Sequence, residues 1–191
     1  MKKIAIVTVA AAAALSAATA AAQTSPATTQ PPQKIPFAQY IIRSHEGVQR
    51  NLVEAAEKMP EEHYAFKPTP EIRPFSQVVT HAALSRFSTC SSFAGKANSH
   101  DGEKDDKTRS KAEIVALLKE GGALCTEAFK GLTDEAALDF VKVGPNQIEV
   151  ARGLMIAGEN AHANEIYGTL AVYLRLKGLV PPSTERSQPK K

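Results

Sequence analysis

The chain has 191 residues, 43% of them hydrophobic, with 23 basic against 20 acidic side chains, two cysteines and no tryptophan. That length suits one domain with a real core. A near-balanced charge excludes a strong pull toward nucleic acid or anionic lipid.

The first residues carry an export pattern. Lys2 and Lys3 give a short positive start, Ile4 to Leu15 an apolar run, and Ser16 to Ala22 a stretch of small residues with several A-x-A sites. A signal peptidase substrate needs these three parts in this order. The apolar part is short and Ala-rich for a membrane span, so residues 1–22 are expected to be a cleaved signal peptide, with no stable membrane insertion afterwards. The mature protein is then periplasmic or secreted. Residues 23–36, rich in Pro, Thr and Gln, read as a flexible linker.

Helical spacing follows. Ile41, Val48, Leu52, Ala55 and Met59 mark a first helix over about 37–59, ended by Pro60. Three prolines make 60–73 a loop, in which Tyr64 and Phe66 are expected to fold back onto the core. A second helix runs from about Pro74 to Ala94, since proline suits the first turn. Residues 95–109 are a charged loop. Ser110 and Glu113 form a capping-box pattern that starts a third helix ending near Lys130. Thr133-Asp134-Glu135 caps a short helix to Leu138. A fourth helix spans about 146–177, with Gly178 at its C-cap. Strand signals are weak. Pro181-Pro182 stops the last helix, and 181–191 reads as a flexible tail. Four amphipathic helices cannot bury their stripes alone, so the predicted fold is an all-α antiparallel four-helix bundle over 37–180, with long crossovers allowed by the two loops.

Cys90 and Cys125 are the only cysteines. In an oxidising compartment an even pair reads as a disulfide, and the second and third helices can lie side by side. A thiol joined to a histidine site is the alternative. Cys90 follows His81 by nine residues and so faces away from it.

Three segments, in order, resemble the DinB-like superfamily, and in particular its exported members. They are Met59-Pro60-Glu61-Glu62-His63-Tyr64-Ala65-Phe66 onward to Phe75, then Gln77-Val78-Val79-Thr80-His81-Ala82 continuing to Cys90, and Ala161-His162-Ala163-Asn164-Glu165-Ile166-Tyr167-Gly168-Thr169-Leu170 with Tyr173-Leu174-Arg175 and Val180-Pro181-Pro182. The resemblance implies a four-helix bundle with a divalent-metal site, commonly three histidines: one from the second helix and an H-x-x-x-H pair from the fourth. Residues i and i+4 share a helix face, so such a pair aims two imidazoles at one point. Characterised relatives include thiol-dependent transferases, isomerases and hydrolase-like enzymes, and members often form homodimers.

Here His81 and His162 match two of the ligands, while Ile166 stands where the third would be. Glu165 and His45 are other donors within reach of a Zn²⁺, Ni²⁺ or Mn²⁺ ion. The bland counterparts are a core-satisfied His81 and a His162 bonded across a degenerate site that Ile166 fills. His63 reads as a loop anchor and His100 as solvated. Tyr167 and Tyr173 read as packing residues, and Arg175 as a charge at the helix C-terminus or an anion contact. Two functions stay open. One is a binding protein for a small molecule or a protein partner. The other is a divalent-metal-dependent enzyme of thiol-transferase or hydrolase type.

Overall fold

The computed structural model describes residues 33–144 and 146–189. The expected signal peptide at 1–22, and the expected linker up to residue 32, lie outside them. The architecture consists of α1 (Phe37–Lys58), α2 (Phe75–Phe93), α3 (Lys111–Phe129), a hairpin of β1 (Phe140–Val143) and β2 (Ile148–Ala151), α4 (Arg152–Leu176) and a short α5 (Pro182–Ser187). Single 3-10 turns stand at Glu61–His63 and Ala136–Leu138. Among the described residues no helix is long and apolar enough to cross a membrane.

α1 buries the stripe expected of it, Ile41, Val48, Leu52 and Ala55. Pro36 cannot cap it, so Asp134 does: its carboxylate accepts from the Phe37 and Ala38 backbone N–H groups at 3.3 and 2.8 Å, as the exposed N–H groups and helix dipole favour. After Met59 the loop folds back on the bundle. The Tyr64 hydroxyl donates to the Ala56 carbonyl at 2.7 Å, and the Phe75 and Ser76 N–H groups donate to the Phe66 and Tyr64 carbonyls. At the start of α3 the Ser110–Glu113 capping box forms as read.

The link before α4 differs from expectation. The fourth helix begins at Arg152, not near Asn146, because residues 140–143 and 148–151 pair as antiparallel strands with Val141 opposite Val150 and Val143 opposite Ile148. Val141, Val143, Ile148 and Val150 supply the alternation of a strand. The connection bends at Gly144 and at Gln147, whose φ values are 68° and 52°.

The tail also differs. Residues 182–187 are helical and attached, not free. The Tyr167 hydroxyl donates to Ser183 Oγ at 2.8 Å and accepts from the Ser183 N–H at 2.9 Å. Arg186 pairs with Glu54, and Lys58 with Glu185. Proline at N1 suits this helix start. α4 itself ends in a Schellman turn at Gly178, φ 72°, with the Leu179 N–H donating to the Leu174 carbonyl, as positive φ at that position requires.

The helices run up, down, down, up. α1 lies parallel to α4, with Phe37 against Gly153 and Ile41 bonded to Asn160. α2 lies parallel to α3, with Ala83 and Phe87 against Gly121 and Cys90 bonded to Cys125. The antiparallel neighbours are α1 with α3, and α2 with α4. Gln49 bonds to Leu118, Lys111 to Met59, and His81 faces His162. Two apolar clusters fill the bundle. One lies around Leu52, Phe75, Leu118 and Leu170; the other lies around Ile41, Phe93, Phe129 and Ile156. The disulfide sits in the second with both cysteines fully buried, Cα atoms 5.0 Å apart.

Candidate functional site

His81 on α2 and His162 on α4 meet where the two antiparallel helices cross. Their rings stand edge to face with centroids 5.2 Å apart. They line a cleft of about 160 Å³ together with Ile166, Glu165, Val78 and Tyr173. His162 and Ile166 share a face of α4, as i and i+4 residues must. Ile166 is 5% exposed and belongs to the larger apolar cluster.

The His81 ring is oriented from outside the helix pair. Its Nδ1 lies 3.4 Å from Oδ2 of Asp105, and the same oxygen accepts from Arg73 Nη1 at 3.0 Å. A carboxylate at Nδ1 favours the tautomer protonated there and leaves Nε2 as an acceptor. Burial, then the positive charge of Arg73 and the neighbouring His162, hold the His81 imidazole below its ordinary value; Asp105 opposes them. The balance favours the neutral form of His81. The roof is tied down by Tyr173, whose hydroxyl donates to the Arg73 carbonyl. Burial pushes that hydroxyl above its usual range.

The other histidines fall elsewhere. His45 is not a donor to the cleft: it is 1% exposed, stands edge-on to Phe129 with centroids 5.1 Å apart, and packs toward α3. The periodicity of α1 that buries Ile41 and Val48 buries His45 on the same stripe. His100 is not simply solvated. Its Nδ1 lies 3.0 Å from Glu103 Oε2 and its ring lies against Phe87 at 4.1 Å, which pins the charged loop to α2. His63 lies in the 3-10 turn before α2. Arg175 is engaged with Thr184 at 3.2 Å and so holds α5.

Glu165 is exposed at the cleft rim. Among the described residues no three His, Cys, Asp or Glu side chains converge as a metal site. Two imidazoles, one engaged with Asp105, and an isoleucine at the third position do not make the three-nitrogen set that holds a divalent ion. A three-histidine centre does not fit these residues. A larger groove of about 630 Å³ lies by the N-terminus of α1, but its Asp134 is committed to capping that helix.

Asp105 was invisible to sequence reasoning. It sits in a run of charges, GEKDDKTR, where nothing in the spacing distinguishes it from Asp106. Only the fold brings it to His81.

The model of the DinB superfamily matches residues 44–166. Among solved structures, a DinB-like protein from Bacillus cereus ATCC 10987 is 17% identical, with a TM-score of 0.62 over 74% of this chain and 93% of its own. A DinB-like protein, YjoA, from Bacillus subtilis is 18% identical, with a TM-score of 0.59 over 73% and 92%. YfiT from Bacillus subtilis, described as a probable metal-dependent hydrolase with an unusual four-helix bundle topology, is 20% identical, with a TM-score of 0.60 over 78% and 94%. At these identities the likeness is one of fold. No curated protein matches the chain.

Proposed function

Because the chain belongs to the DinB superfamily, we propose that the cleft between His81 and His162 is a degenerate metal site that serves as a binding site for a small molecule or for a side chain of a partner. The observation that carries this reading is the local geometry. Two imidazoles face each other at 5.2 Å, His81 is oriented by Asp105, and Ile166 occupies the position one turn beyond His162. The cleft offers acceptors, His81 Nε2 and at the rim the Glu165 carboxylate, beside the Arg73 guanidinium and the Thr169 hydroxyl. Apolar walls come from Val78 and Ile166. Such a site takes a compact ligand that presents N–H or O–H donors beside an apolar body. The volume, about 160 Å³, is below the range of about 300–1,000 Å³ usual for drug-sized ligands.

We place the protein outside the cytoplasm. The composition of residues 1–22 supports export, and the buried Cys90–Cys125 disulfide suits an oxidising compartment.

A divalent-metal-dependent enzyme, of the hydrolase kind named for YfiT, is the second reading. Its support is the position of Glu165, which borders the same cleft as both histidines. Elemental analysis after incubation with Zn²⁺, Ni²⁺ and Mn²⁺ separates the two. The binding reading expects no stoichiometric metal, with small amines and alcohols shifting the His81 and His162 imidazole resonances. About one metal per chain, lost in both His162→Ala and Glu165→Gln, would overturn it in favour of the enzyme.

A further inference from the structure

The two apolar clusters are separated by a polar layer that the cleft does not use. Arg86 on α2 and Glu159 on α4 have side chains that are 0% and 2% exposed, with Arg86 Nε 3.9 Å from Glu159 Oε1. His45 on α1 is 1% exposed and Asn160 on α4 is 6% exposed. Gln49, one turn beyond His45, lays its amide over Gly122 of α3, where a Cβ would collide with it. Gly121 beside it touches the Ala83 carbonyl and Arg86 Cβ at 3.1 and 3.3 Å from where its own Cβ would stand. The glycine pair thus lets α1 and α2 close around the layer.

The hydrogen bonding of this layer is incomplete among protein groups. Arg86 Nη1 donates to the Ala82 carbonyl at 3.3 Å, Asn160 Nδ2 to the Ile41 carbonyl at 2.8 Å, and Gln49 Nε2 to the Leu118 carbonyl at 3.2 Å. Among the described residues, Arg86 Nε and Nη2, Glu159 Oε1, Asn160 Oδ1 and Gln49 Oε1 find no such partner, and His45 has only the Gly122 backbone beside it. Each buried polar atom left so costs stability, and a charged one costs more. A native core does not carry that many at once.

Charge and hydrogen-bond character identify the occupant. A cation would suit Glu159, Asn160 and Gln49 but is repelled by Arg86, 3.9 Å from the carboxylate. An anion would satisfy Arg86 but would face the lone pairs of Glu159, Asn160 and Gln49. The unpaired set contains donors and acceptors together, and water is the small species that supplies both, making about three bonds per buried molecule. We propose that this layer is an internal water-binding site, in which ordered water bridges Arg86 and Glu159 and is shared with His45, Asn160 and Gln49. A groove of about 390 Å³ between α1 and the end of α3 has His45 in its wall. Glu159 precedes His162 by one turn of α4, so the water lies directly beneath the cleft.

The test is a crystal structure of the protein at a resolution that shows bound water, solved from native crystals and again after a bromide soak. The expected result is density within hydrogen-bonding distance of Arg86 Nε or Nη2 and of Glu159 Oε1, with no anomalous signal there. A direct hydrogen-bonded Arg86–Glu159 pair with nothing between overturns the proposal, and so does a bromide peak on Arg86. In solution, cross-relaxation between water and the Arg86 Nε proton decides the same question without crystals: its presence supports the site and its absence removes it.

Discussion

Oδ2 of Asp105 stands 3.4 Å from Nδ1 of His81. A carboxylate there stabilises the protonated imidazole, against burial and against Arg73. Asp105→Asn removes that support, so the His81 pKa falls further below its ordinary value. An imidazole NMR titration reads the shift, and an unchanged or raised value contradicts the pairing.

Ile166 lies one turn beyond His162 on the wall of the same cleft. Ile166→His places a third imidazole beside the other two and supplies the set a tetrahedral divalent site needs. About one Zn²⁺ per chain is expected in this variant by elemental analysis, against none in the parent. A variant that folds and stays metal-free would mean that the rings cannot converge.

Cys90 and Cys125 close a loop with a sequence separation of 35. The double variant Cys90→Ala, Cys125→Ala loses about 3–4 kcal/mol of stability in the loop-entropy view. Urea unfolding measures it, and the same loss follows reduction of the parent.

His45 gives the fold a sensitivity to acid. Burial first, and then Arg86, hold its imidazole down at about 4, against 6.5 for a free histidine. Between those values the unfolded chain binds the proton and the folded one does not. The contribution is therefore complete above pH 6.5 and is lost as pH falls toward 4, by up to about 3 kcal/mol. Glu159, whose carboxyl burial pushes up, works in the opposite direction. Comparing urea midpoints of the parent and His45→Leu from pH 7 to 4 isolates the histidine. The variant is expected to lose less stability on acidification, and parallel curves would refute the assignment.

The attachment of α5 rests on the Tyr167 hydroxyl, which both donates to and accepts from Ser183. Tyr167→Phe is expected to cost about 1–2 kcal/mol and to make the chain after Pro181 open to proteases. Limited proteolysis with mass spectrometry follows the second effect.

Much of the fold was legible because its signals are local. The α1 stripe, the Ser110–Glu113 box and the Gly178 cap each depend on residues within a few positions. The His81–His162 meeting was legible from the family resemblance. The hairpin of β1 and β2 was missed because its strands are four residues long and the sequence between them lacks the Asn-Gly or Asp-Gly signature of short hairpins. α5 was missed because its six residues are held by Tyr167, Glu54 and Lys58 rather than by their own propensity. Asp105, Arg86 and Glu159 share one difficulty. A charged residue in sequence reads as surface, and only tertiary contact shows that one orients an imidazole and two lie in the core.

The parallel pairing of α1 with α4 has a consequence for how the chain assembles. Most small all-helical proteins fold fast because neighbours in sequence are neighbours in space. Here the partner of Ile41 is Asn160, near the far end of the chain. A ribosome makes α1 long before that partner exists. Only α3 can cover part of the α1 stripe earlier; the side that meets α4 waits while the hairpin and α4 are made, and whatever shields nascent chains must cover it for that interval. The hydrophobic face that later seals the bundle is, during synthesis, its point of greatest exposure to aggregation.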